Sequence, residues 1–226
     1  MILSSSSKLK INGKEISLGK LNGKIVYSKQ PKYTELEYIE STGTQYIDTL
    51  YIPNDNTTIF FDFMPLALDT GFEVSGRSKR TTNEFTFWGN YSEGVWYSYG
   101  SGNSSTLTNY KFSTYTRYQV KMGRSVGLRF STNNFLTQTT LRVSFSNYLT
   151  GVVSLGLFAG HDLSESTGWG GKTKTRFYRL TINEGNNTVH DFIPVLDSKN
   201  VPCIYDLITE TYFYNQGTGS FNYEVS

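Results

Sequence analysis

Asn187 to Phe221 reads N-T-V-H-D-F-I-P-V-L-D-S-K-N-V-P-C-I-Y-D-L-I-T-E-T-Y-F-Y-N-Q-G-T-G-S-F, and its punctuation decides the fold. Val189 to Val195 is β-rich and stops near Pro194, which cannot donate to a ladder and belongs at a strand end or edge. After the polar turn D-S-K-N, Val201 to Tyr205 forms a second run, and Asp206 to Glu210 makes a tight corner. Thr211 to Tyr214 then returns as a β-branched and aromatic run. Asn215-Gln216-Gly217-Thr218-Gly219 closes with two glycines, placed where positive φ is expected. The stretch predicts a terminal hairpin that seals a β-sandwich.

Working outward, Tyr33 to Thr49 carries Y-T-E-L-E-Y-I-E-S-T-G-T-Q-Y-I-D-T. This opening run, together with D-F-I-P-V and Y-D-L-I-T-E-T-Y-F-Y-N-Q-G-T-G-S-F at the end, resembles the laminin G-like/concanavalin A-like domains of phage and gut-bacterial surface proteins. The resemblance covers about Tyr33 to Tyr223. It implies an all-β, two-sheet antiparallel jelly-roll sandwich. It implies little about chemistry, because the shared residues close the sandwich and do not build a reactive centre.

Composition narrows the function classes. A chain of 226 residues buries roughly 70% of its unfolded surface and needs no metal or disulfide for stability. The single cysteine, Cys203, excludes an internal disulfide and a cysteine-based zinc site. It sits in an apolar run and is expected to be a buried small hydrophobe. The net charge is +2, with no basic cluster beyond Arg77-Ser78-Lys79-Arg80, which argues against nucleic acid. The start M-I-L-S-S-S-S-K is not a secretory signal. No stretch approaches the ~20 apolar residues of a membrane span, so a soluble protein without membrane insertion is expected.

In Lys8 to Ser28, Asn12-Gly13 and Asn22-Gly23 each separate short alternating runs, the strongest short-range hairpin signal. The expectation is a three-stranded β-meander over residues 1–30, with Ser28 to Lys32 as linker and a jelly roll over 31–226. Three strands this short hold little core, so Leu9, Ile11, Ile16, Leu18, Leu21, Ile25 and Val26 are expected to face a partner or another copy of the chain. The pattern loosely resembles attachment segments of phage tail and baseplate proteins.

From Tyr33 onward, alternation marks one strand after another. Ile59, Phe61 and Phe63 share a face, as do Phe85 with Phe87, and Val95, Tyr97 and Tyr99. Tyr118, Val120 and Met122 repeat the pattern, followed by Val126, Leu128 and Phe130, then Leu141, Val143 and Phe145. Leu155 with Leu157, and Tyr178, Leu180 and Ile182, complete the series. About a dozen strands suit a jelly roll with one face of each sheet solvated. Gly89 to Tyr110 and Gly160 to Lys174 are too long for simple hairpins and are candidate binding loops.

Trp169, between two glycines in the second loop, is the leading candidate for stacking on a sugar, with Asp162 as a hydroxyl acceptor. The alternative for Trp169 is to fold back on the sandwich edge or to pack in an oligomer interface. Trp88 and Trp96, with Tyr97 and Tyr99, would supply a second platform, although alternation points several of them into the core, and Asn90 is a further candidate sugar contact. Glu35, Glu37 and Glu40 superficially match the carboxylate run of laminarinase-type glucanases, in which two carboxylates stand about 5 Å apart. The run lies in the first strand of the sandwich and has Glu37 where those enzymes carry Asp. His161-Asp162 and the distant His190 fall short of a zinc site. The resemblance admits Ca2+, to which Asp162 would give an oxygen, but no dense Asp/Asn loop is present. No cofactor or metal ligand is assigned. Asp191 and Asp206 are expected to be turn and strand-end hydrogen-bonders.

The resulting expectation is a non-enzymatic phage virion surface protein. Residues 1–30 would join other virion proteins, and the jelly roll, as a homo-oligomer, would bind a bacterial surface glycan. The alternatives are a purely structural virion decoration protein, a glycosidase using Glu35 and Glu40, or a protein of the bacterial cell surface.

Overall fold

The computed structural model describes residues 10–11, 14–15, 18–21, 24–28, 33–68, 70–79, 82–101, 105–163 and 168–226, with side chains from Tyr33 onward except those of 79 and 82. Every regular element among them is a strand. The first four are β1 (Lys10–Ile11), β2 (Lys14–Glu15), β3 (Leu18–Leu21) and β4 (Lys24–Ser28). They pair as two separate ladders, β1 with β2 and β3 with β4, in place of the expected three-stranded meander. A two-residue turn fixes register only for the two runs it joins. Lys10 faces Glu15 and Leu21 faces Lys24, so each Asn-Gly pair falls between partner strands. The four Asn-Gly residues, Leu9 and Ile16 lie outside the described residues, as do the side chains of Ile11, Leu18, Leu21, Ile25 and Val26.

From Thr34 on, the strands are β5 (Thr34–Glu40), β6 (Ile47–Asp48), β7 (Thr57–Pro65), β8 (Val74–Lys79), β9 (Thr82–Trp88), β10 (Val95–Gly100) and β11 (Ser105–Leu107). They continue with β12 (Tyr118–Gly123), β13 (Gly127–Ser131), β14 (Thr139–Arg142), β15 (Gly156–Leu157), β16 (Gly160–Asp162) and β17 (Trp169–Gly170). The last five are β18 (Thr175–Glu184), β19 (Asn187–Leu196), β20 (Pro202–Asp206), β21 (Thr211–Phe213) and β22 (Asn222–Val225). The larger sheet runs β14-β13-β12-β7-β18-β5-β19-β20-β21, with β22 also on β5. The smaller runs β11-β10-β9-β8-β15-β6, with β16 on β8 and β17 on β16. Among the described strands all pairings are antiparallel except β16 with β8. The molecule is an all-β, jelly-roll-like sandwich.

Alternation places the core. Ile59, Phe61 and Phe63 of β7 face Phe85 and Phe87 of β9, and Val95, Tyr97 and Tyr99 of β10, in one buried cluster. Phe61 stacks on Phe63 at 4.9 Å, and Tyr99 on Phe145 at 4.6 Å. Each such ring stabilises the fold by roughly 2–3 kcal/mol relative to exposure. Cys203 is buried with Ile193, Val195 and Tyr205 in a small second cluster, where burial pushes its thiol up to about 12.

Four details depart from the expected pattern. A bulge between Phe177 and Arg179 puts Phe177 in the core and turns Tyr178 outward against Tyr38 and Arg117. Val143 is exposed because β14 ends at Arg142. Pro194 lies inside β19 without breaking it. On one side of β19 the neighbour is β18 up to Phe192 and β5 from Val195, so Pro194 falls at the change of partner. The two presumed loops are threaded by β10 with β11 and by β16 with β17.

Candidate functional site

The opening and closing motifs lock together at one end of the sandwich. Asn215 Oδ1 accepts from the backbone N–H groups of Tyr46 (3.2 Å) and Gly217 (2.8 Å). Thr44 Oγ1 donates to the Thr218 carbonyl, and Gln45 Nε2 to that of Ser220, both at 2.9 Å. The Gln216 and Thr218 N–H groups donate to the Tyr46 and Thr44 carbonyls. Only one of the two closing glycines takes positive φ, Gly219 at 72°. Gly217 is needed for a different reason: a Cβ there would stand 2.0 Å from the Thr44 carbonyl oxygen.

A cavity of about 340 Å3 opens on this latch. Gly43, Thr44 and Tyr46 line it from the opening motif, Gln216, Gly217 and Thr218 from the closing one, and Trp169 with Lys172 from the β17 region. Trp169 is half-buried and lies in a stack of rings. His161 lies on it at 4.3 Å and 12°, and Tyr46 at 4.6 Å and 27°. The His161 ring is held in turn by Ser154, whose hydroxyl is 2.9 Å from Nδ1. The benzo edge of Trp169 rests on Gly156, where a Cβ would come within 2.4 Å of Cζ3.

Trp169 is therefore not the free platform expected from its glycine neighbours, because the fold-back packing takes its ring. Tyr46, also half-buried, lines the same cavity, with the Lys172 ammonium 5.5 Å from its ring centre. Among the described residues, the side chains of Gln216, Thr218 and Lys172 have no internal hydrogen-bond partner. The cavity thus offers a ring, an amide, a hydroxyl and a cation to one small polar ligand.

The other expected sugar contacts lie elsewhere. Asp162 is 1% exposed and 2.6 Å from the Arg77 guanidinium, so its carboxylate serves an internal ion pair. Asn90 is fully buried, donating to Thr70 and Thr173 and accepting from Trp88 Nε1. Tyr99 is a core residue stacked on Phe145. Alternation put Tyr99 inward, and the buried amide of Asn90 serves the turn after β9. Trp96 is half-buried on the outer face of the smaller sheet, in a patch with Phe72 and Trp88.

Among the early glutamates, Glu35 and Glu37 are exposed. A bulge in β5 opposite Glu224 and Val225 brings Glu40 onto their face. Both oxygens of Glu40 are engaged, Oε2 by Arg176 at 2.8 Å and Oε1 by Asn222 at 3.2 Å. Neither Glu35 nor Glu40 lines the latch cavity. Among the described residues no group of three or more His, Cys, Asp or Glu could hold a metal.

Sequence reasoning missed Tyr46, Lys172, Gln216 and Thr218. A signal for Tyr46 was available: buried Gln45 and Ile47 flank it, so alternation turns its ring out beside the latch. Nothing local marks Lys172, which meets the latch only through tertiary pairing.

No protein-family model and no curated protein matches the chain. Among solved structures, a protein of Bacteroides ovatus provisionally described as carbohydrate binding superposes with a TM-score of 0.49 at 10% identity. The superposition covers 94% of this chain and 66% of the other. A likeness that remote says nothing about ligand.

Proposed function

We propose that this chain is a non-enzymatic recognition module that binds a saccharide in the latch cavity. The observation that carries the proposal is the juxtaposition of the Tyr46 ring with the unpartnered Gln216, Thr218 and Lys172 around about 340 Å3. A flat ring suits the C–H face of a pyranose, and the amide, hydroxyl and ammonium suit its hydroxyls. The volume is at the small end of ligand sites, the size for one or two sugar units. Weak single sites of this kind serve best when repeated, as on a virion or cell surface. In that setting residues 1–30 attach the module to other surface proteins, and the sugar belongs to a bacterial envelope.

The test is a glycan array with the full chain, followed by titration of the best hit against Tyr46→Ala. Loss of at least tenfold in affinity is expected, with the melting temperature lowered only by what one half-buried ring stacked on Trp169 contributes. Absence of any hit, or a Tyr46→Ala protein that binds as well as the parent, would overturn the proposal and favour a purely architectural role.

A further inference from the structure

Beside the latch cavity, the strand ends of the larger sheet form a rim. The Ser41 N–H donates to the Thr175 carbonyl and the Leu66 N–H to the Lys174 carbonyl, both at 3.0 Å, and the Tyr115 N–H donates to the Pro65 carbonyl at 2.8 Å. The ends of β5, β18 and β7 and the segment entering β12 therefore lie side by side, in the order of the sheet. Gly43, which lines the cavity, meets the stem of Lys174: a Cβ there would stand 3.4 Å from its Cγ and Cε. Tyr115 thus lies along the rim from the cavity, three strand spacings from the end of β5, or roughly 15 Å.

Tyr115 is unusual in two ways. Its φ is 59°, a left-handed conformation that costs free energy in any bulky residue. Phe135 and Phe158 share that region of φ, but Phe158 is packed in the core and Phe135 lies edge-on to Phe60. Tyr115 has no such packing. It is 70% exposed, and among the described residues no aromatic side chain is more so. Among those residues its ring meets no other ring or cation, and its hydroxyl makes no hydrogen bond.

Burial therefore cannot explain why a strained position holds a tyrosine, since glycine or asparagine makes such a turn at lower cost. What the tyrosine adds is a free ring, and flat aromatic faces suit sugars. Tyr46, by contrast, gives one face to Trp169. Between the two rings the rim offers exposed Lys174 and half-buried Leu66.

We propose that Tyr115 is a distal sugar-stacking residue of the latch site, an assignment that rests on the latch cavity binding a saccharide. The ligand is then an oligosaccharide, with its end unit in the cavity and the following units crossing Lys174 to Tyr115. A single sugar held in the cavity cannot reach that ring.

The experiment takes the full chain, the best oligosaccharide hit of the glycan array and the constituent monosaccharides of that hit. The parent is expected to bind the oligosaccharide at least tenfold more tightly than any of its monosaccharides. Tyr115→Gly should remove that advantage, leave monosaccharide affinity unchanged, and keep or raise the melting temperature because glycine relieves the positive φ. Tyr115→Phe keeps the ring and should keep the advantage. Equal affinity for oligosaccharide and monosaccharide, or a Tyr115→Gly protein that retains the tenfold difference, would overturn the proposal and leave the cavity its sugar. A melting temperature lowered by Tyr115→Gly would also overturn it, by assigning the residue to the fold. Loss in Tyr115→Gly with full affinity in Tyr46→Ala, or no hit at all, would instead overturn the latch site and with it the extension.

Discussion

At the scale of single residues, two buried carboxyls have opposite consequences. Glu73 is fully buried, with the Gly89 N–H donating to Oε2 at 2.8 Å and the backbone N–H groups of Glu73 and Asn90 also turned toward its carboxyl. Burial pushes its carboxyl up from 4.5 to about 8, so the folded chain keeps the proton while the unfolded chain releases it. The stability this confers is full below pH 4.5 and lost between there and pH 8, by up to about 1.4 kcal/mol per pH unit. Glu73→Gln is expected to flatten that slope and to melt higher than the parent at pH 8, by calorimetry across the interval. An unchanged slope would show that Glu73 is ionised in the fold. Asp206 is also buried, and desolvation opposes its charge. Four donors outweigh that cost: the N–H groups of Asp191 and Ile208, the Thr209 hydroxyl and the His190 ring. Its carboxyl is thereby held low, so its contribution is lost only as pH falls through that depressed value. Asp206→Ala strands these donors and should cost about 3 kcal/mol. Arg179→Ala, which breaks the exposed pair with Asp191, should cost under about 1 kcal/mol. Denaturant titration separates the two.

At the scale of elements, the β15–β17 corner supports the latch. Trp169 leans on Gly156 with its edge and on His161 and Tyr46 with its rings. Gly156→Ala would put a methyl 2.4 Å from Trp169 and 2.7 Å from the Ala159 carbonyl oxygen. It should destabilise by about 1–3 kcal/mol and weaken sugar binding in parallel, whereas Tyr46→Ala should cost less stability, the loss of one stacking partner, and more affinity. A Gly156→Ala protein with lowered stability and full affinity would detach Tyr46 from the stack. This corner also shows what a sequence conceals. The period of two was legible in β7, β9, β10 and β12, because each strand carries its own alternation. The bulge at Tyr178 was not, because it is set by pairing with β7. Trp169 was legible as unusual, but its partners lie 8 and 123 positions away, so nothing local told a platform from a buttress. Asp162 and Asn90 were misplaced for the same reason: a polar residue in a Gly/Ser-rich stretch looks solvated until Arg77 or Thr173 is found against it.

At the scale of the whole molecule, the sandwich closes on itself. The described core cluster begins at Leu36 and ends at Phe221, the last residue of the stretch with which the fold was read. Both sheets contribute to that one cluster, so neither can lose its packing without the other. This predicts a single cooperative transition in calorimetry, with calorimetric and van't Hoff enthalpies equal. Among the described strands β1 pairs only with β2 and β3 only with β4, and two-stranded ladders hold little stability of their own. A chain beginning at Tyr33 should therefore melt within about 2 °C of the full chain, since 1 kcal/mol corresponds to roughly 2–4 °C at this size. It should bind sugar equally well in solution, yet lose retention on a multivalent surface if residues 1–30 supply the copies that make weak sites effective. A drop of more than about 5 °C would make those ladders part of the sandwich, and undiminished retention would make the sandwich its own oligomeriser.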